Sequence, residues 1–63
     1  MFALERLPLK NGNHIQKFRS KSGHSWMYQV KDSNGTVLSE SWIYDRADDM
    51  NEAIRDNYPE VIS

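Results

Sequence analysis

One strand and the turn behind it narrow the fold of this chain more than any other feature. Trp26, Tyr28 and Val30 alternate with Met27, Gln29 and Lys31, the period-two pattern of a strand with one buried face. Asp32-Ser33-Asn34-Gly35-Thr36 follows directly, and Asn-Gly between such segments is a strong hairpin signal. Two registers are open. A two-residue Asn34-Gly35 loop would pair Ser33 with Thr36 and put Trp26 and Val30 on a face with Ser39 and Ser41. A three-residue loop, Ser33 to Gly35 with Gly35 as a left-handed bulge, pairs Asp32 with Thr36. It then gathers Trp26, Tyr28 and Val30 with Leu38, Trp42 and Tyr44. A slip of one residue flips every side chain, so the register that collects the large residues is the expected one. It predicts a partner strand from Thr36 to Tyr44.

The other breaks are Asn11-Gly12-Asn13 and Lys21-Ser22-Gly23, with Pro59 closing the last element. Residues 1–9 read as an extended arm or edge strand, since Pro8 lacks a ladder donor. His14 to Ser20 reads as a further strand, which places the sheet within 14–44. A helix is expected over 46–58, with Asp45 as N-cap and Asp48 and Asp49 near its positive end. Ala47, Met50, Ile54 and Tyr58 form its apolar stripe. The fold expected is α+β: a small antiparallel sheet of three to four strands with one C-terminal helix packed on one face. Trp26, Tyr28, Val30, Leu38, Trp42, Met50 and Ile54 are its expected core.

Composition excludes several classes. With 63 residues and no cysteine, the chain is one small domain without disulfides or thiolate zinc sites. No apolar run spans a bilayer and the first residues lack the pattern of a secretory signal, so a cytoplasmic protein is expected. His14 and His24 flank a turn without a third ligand, and read as loop histidines rather than a metal site. Ser22, Ser25, His24 and Asp32 supply the residue types of a triad but no nucleophile elbow. A fold this small is also expected to leave little room for a pocket of ~300 Å³. The expectation is a protein that is not an enzyme and carries no cofactor.

Residues 17–59 resemble the YegP-like family of small bacterial proteins of uncharacterised function. The matching features are Trp26-x-Tyr28-x-Val30-Lys31, Asn34-Gly35, Val37-Leu38, Ser41, Tyr44 and the helical Ala53-Ile54. The family pattern usually has Trp at the position of Tyr28 and an aromatic residue at that of Trp26. The resemblance implies a small antiparallel sheet with a helix on one side and lends no catalytic residues. The family often carries the motif twice in a chain and this sequence carries it once. Pairing of two copies as a homodimer is the implied arrangement.

Charge is divided sharply along the chain. Residues 1–31 hold six Lys or Arg against Glu5 alone, whereas residues 32–63 hold Arg46 and Arg55 against eight carboxylates. The most specific pattern lies in the acidic half. Asp45, Asp49, Glu52 and Asp56 fall within about 60° on a helical wheel, with Asp48 beside them and the apolar stripe opposite. Consecutive members stand ~5–6 Å apart along the axis, and only two arginines are near enough to relieve their repulsion. An ordinary solvated face would look similar, yet the uncompensated row suits a basic surface on another protein, as in phage-encoded inhibitors that mimic DNA. The function expected is a small protein-binding module. The alternative is nucleic-acid binding through Lys17, Arg19, Lys21 and Lys31 interleaved with aromatic residues. An overall pI of ≈ 6.0 counts against it. Val37, Ile43 and Met27 are expected to form an apolar patch on the open sheet face, covered either by a second copy or by the arm 1–9.

Overall fold

A computed structural model describes residues 1–61. Four strands, β1 (Phe2–Pro8), β2 (His14–Arg19), β3 (Trp26–Lys31) and β4 (Val37–Glu40), precede one helix, α1 (Ala47–Asn57). The strands form an antiparallel meander in the order β1-β2-β3-β4, and α1 packs on one face against β3. This is the α+β architecture that the hairpin and the terminal apolar stripe specify.

The core lies where the helix meets the middle of the sheet. Pairing of Ile15 with Val30 and of Lys17 with Tyr28 sets these side chains on the helix side. Met50 and Ile54, one turn apart on α1, close over Leu9, Ile15, Tyr28 and Val30. The rings of Tyr28 and Tyr58 meet edge to face at 5.9 Å and 86°, a favoured aromatic geometry. Beyond the helix the chain turns back, and Val61 bridges to Leu9.

The turn between β3 and β4 is the three-residue form. Asp32 N–H donates to the Thr36 carbonyl and Gly35 N–H to the Asp32 carbonyl, both at 3.0 Å, with Gly35 at φ +86°. The Asp32 carboxylate also accepts from the Asn34 and Thr36 amides. The face assignment drawn from that turn does not survive, because the ladder slips immediately after it. Lys31 pairs with Val37 but Val30 pairs with Ser39, leaving Leu38 as an extra residue. Ser39 and Ser41 therefore take the helix side opposite Val30 and Tyr28, as the rejected two-residue loop would have had it. Leu38 is 54% exposed and Trp42 82% exposed, so neither belongs to the core. Trp26 is half-buried at the core's margin beside Tyr44, while Leu9, Ile15 and Met27 are buried instead.

Regular pairing in the fourth strand stops at Glu40, short of the expected Tyr44. Tyr44 rejoins as a single bridge to Trp26 through two hydrogen bonds of 2.8 Å. Clamped at Tyr44, the chain needs two more residues to turn. Arg46, not Asp45, is consequently the helix N-cap, with extended φ and ψ and no side-chain capping bond. Residues 1–9 do not fold across the open face. Phe2–Pro8 is an edge strand in the sheet, with Leu4 and Glu5 both standing opposite Lys17 in a bulge.

Candidate functional site

The two sheet edges are built differently. At β1 the bulge twists the strand, and the Gln16 amide nitrogen reaches across to the Leu4 carbonyl at 2.8 Å and the Glu5 carbonyl at 3.4 Å. Pro8, Glu5 and Arg6 add the features that blunt an edge against further pairing. The β4 edge also has a bulge, at Leu38, and one exposed charge, Glu40, but it presents apolar residues beside them. Val37, Leu38, Trp42 and Ile43 are all exposed along it, Trp42 at 82% and Ile43 at 60%.

The exposure of Trp42 and Ile43 has a local cause. Ser41 is held opposite Tyr28, and Tyr44 opposite Trp26, so Trp42 and Ile43 together face the single residue Met27. Two residues against one make a bulge, which pushes the chain outward. α1 cannot cover it, since the helix is anchored over Val30 and Tyr28 by Met50 and Ile54. Exposed large apolar residues, here two pairs separated by Ser39, Glu40 and Ser41, are a feature of interaction surfaces.

The acidic residues stand next to this strip in the chain. Asp48, Asp49, Glu52 and Asp56 lie on α1, opposite Met50 and Ile54, and all four are exposed. Asp45 is exposed too, but it precedes the helix and does not extend the helical row as the wheel supposed. Among the described residues the one ion pair is Lys17 with Glu5, so none of the five carboxylates is neutralised by a neighbouring Lys or Arg. Asp48 and Asp49 gain from the helix dipole. The rest of the row carries its repulsion into solvent.

The basic candidates are not brought together. Lys17 and Arg19 lie on the helix side of β2, Lys31 on the opposite face of β3, and Lys21 in the turn between them. Lys17 is buried and bound to Glu5 at 3.0 Å. The Arg19 guanidinium stacks on the Phe2 ring, and the Lys31 ammonium on Phe18, each 5.7 Å from the ring centre. No single groove joins these four cations.

The expected lack of a pocket is corrected by the fold. A cavity of about 420 Å³ opens between the C-terminal half of α1 and strands β1 and β2. Leu7, Ile54, Tyr58, Pro59 and Val61 form its apolar wall, and Lys17, Asn51 and Arg55 its polar one. It exists because Val61 returns to Leu9 rather than running away from the sheet. Sequence patterning gave no sign of that return, as the pairing depends on a single bridge after Pro59.

No family model, curated protein or solved structure matches the chain. The YegP-like resemblance therefore rests on the residues quoted above.

Proposed function

We propose that this protein is a small binding module that acts by docking on another protein through its β4 edge and the adjoining acidic face of α1. The observation that supports this reading most is the exposed strip of Val37, Leu38, Trp42 and Ile43. It leads directly into the unneutralised carboxylates at Asp45, Asp48, Asp49, Glu52 and Asp56. Apolar anchors give affinity, with tryptophan over-represented among binding hot spots. Charge around them steers encounter and selects the partner. The partner that complements this surface has an apolar groove flanked by Lys and Arg. A phage or mobile-element inhibitor is one setting that suits such a device.

Pairing of two copies through the same strip is the competing arrangement, since the outer amides of β4 are open to a further strand. A symmetric contact there would bring two acidic rows together, which disfavours it. Nucleic-acid binding is supported less, given the separation of Lys17, Arg19, Lys21 and Lys31 over both faces.

The test compares partners retained from cell extract by three folded proteins: the native chain, Trp42→Ser with Ile43→Ser, and a variant with Asp48→Asn, Asp49→Asn and Glu52→Gln. A basic protein held by the native chain and lost from both variants is expected. Retention by both variants would overturn the assignment of the surface. Tight binding to random duplex DNA, with a salt slope worth several phosphates, would overturn the class of partner. Sedimentation as a dimer that Trp42→Ser abolishes would establish self-association instead.

A further inference from the structure

The cavity beneath the end of α1 is lined by polar side chains, two of them cationic. Lys17 is 8% exposed, and its ammonium has one hydrogen-bond partner among the described residues, Glu5 at 3.0 Å. An ammonium carries three donors, so two remain. The Oδ1 atom of Asn51 is buried with no hydrogen-bond partner among the described residues. Arg55, on the next turn of the helix, lines the same cavity and forms no ion pair among the described residues. A buried polar group without a partner costs free energy comparable to a lost hydrogen bond. Two cations on one cavity wall, the buried Lys17 with donors to spare and the exposed Arg55, point to an anionic ligand that joins them.

The chemistry of that ligand follows from the wall. Two cations with free donors, Lys17 and Arg55, match a carboxylate, and arginine can bind one with two parallel bonds. Leu7, Ile54, Tyr58, Pro59 and Val61 require the remainder to be apolar. At about 420 Å³ the space lies within the ~300–1,000 Å³ range of small-molecule sites. We infer that this cavity is a binding site for a carboxylate attached to an apolar group, either that of a free apolar amino acid or that of the C-terminal residue of a peptide.

The site is separate from the β4 surface. Glu5 does not block it, since its side chain is 67% exposed and can swing into water while Lys17 turns to a second carboxylate.

Amide chemical-shift titration of the full chain tests the inference with four probes. These are L-phenylalanine, N-acetyl-alanyl-phenylalanine, the amide of phenylalanine, and phenethylamine. Saturable shifts centred on Lys17, Asn51, Arg55 and Tyr58 are expected with one or both carboxylate probes, and at least tenfold weaker binding with the two that lack a carboxylate. A preference between the first two decides between a free amino acid and a peptide terminus. Lys17→Met and Arg55→Gln should each weaken binding about tenfold or more. Arg55 is exposed, so its variant keeps the test open if replacing Lys17 unfolds the chain. Equal, non-saturating shifts with all four probes would show a solvent-filled cleft and overturn the inference.

Discussion

The Tyr28 N–H donates to the hydroxyl oxygen of Ser41 at 2.9 Å, while the Ser41 N–H donates to the Tyr28 carbonyl at the same distance. In a regular antiparallel pair the first bond would go to the Ser41 carbonyl. Here a side chain replaces the backbone acceptor, and the hydroxyl in turn donates a hydrogen bond to the Trp42 carbonyl at 2.8 Å. The substitution satisfies the buried strand and releases the chain from the ladder. Trp42 and Ile43 swing outward as a consequence, and the proposed docking surface depends on this one serine.

Ser41→Ala should cost about 1–3 kcal/mol, because it leaves the Tyr28 N–H without its acceptor. Trp42→Ala, removing a far larger side chain, should change stability by no more than about 0.5 kcal/mol, as expected for an exposed position. Denaturant midpoints of the two variants measure the contrast. A greater loss at Trp42 than at Ser41 would contradict the outward placement.

Gly35→Ala should destabilise by about 1 kcal/mol or somewhat more, as the αL region penalises a Cβ. A Cβ at Gly35 meets nothing within 4 Å, so the penalty is one of backbone conformation and not of crowding. Gly35→Asn should recover part of it, since Asn tolerates φ above zero. Equal losses for the two variants in thermal unfolding would point to a clash.

Ile54→Ala should cost about 2–5 kcal/mol, a large share of the stability of a domain this small. Ile54 is 3% exposed against Val30 and Tyr28. Leu38→Ala, the same kind of truncation at an exposed residue, should fall within about 0.5 kcal/mol. Urea titrations that ranked the two in reverse order would place the core on the β4 side of the sheet.

Burial raises the Tyr28 phenol above its ordinary value of 10.0, with the neighbouring Tyr58 and Tyr44 phenols adding to the rise and Asn57 opposing it. In the alkaline range the unfolded chain therefore loses this proton first, so it binds fewer protons than the native state. Stability from this group is full below pH 10 and declines as the pH rises through 10 toward the folded value. Tyr28→Phe should flatten that decline in denaturant midpoints measured from pH 8 to 11. An unchanged slope would show that Tyr28 ionises freely in the native protein.

Local chemistry in the sequence determined the elements. Alternation over Trp26 to Lys31, the Asp32-to-Gly35 turn with its left-handed glycine, and the stripe of Met50 and Ile54 each act within a few residues. They specified the hairpin, the helix and their stacking into an α+β fold. The tertiary structure decided the register beyond the turn, because a single extra residue at Leu38 reverses the faces that alternation implies. That bulge puts Ser39 and Ser41 on the face that carries the helix, and together with the one at Trp42 and Ile43 it leaves four large apolar residues in solvent. The same holds for Asp45, displaced from the cap by the Trp26–Tyr44 bridge. It holds also for the cavity, whose Lys17, Asn51 and Val61 come from segments far apart in the chain, brought together by packing and by the Leu9–Val61 bridge. Periodicity records which residues share a strand or a helix face. Where one strand gains a residue on its neighbour is settled by long-range hydrogen bonds and by the space the helix covers.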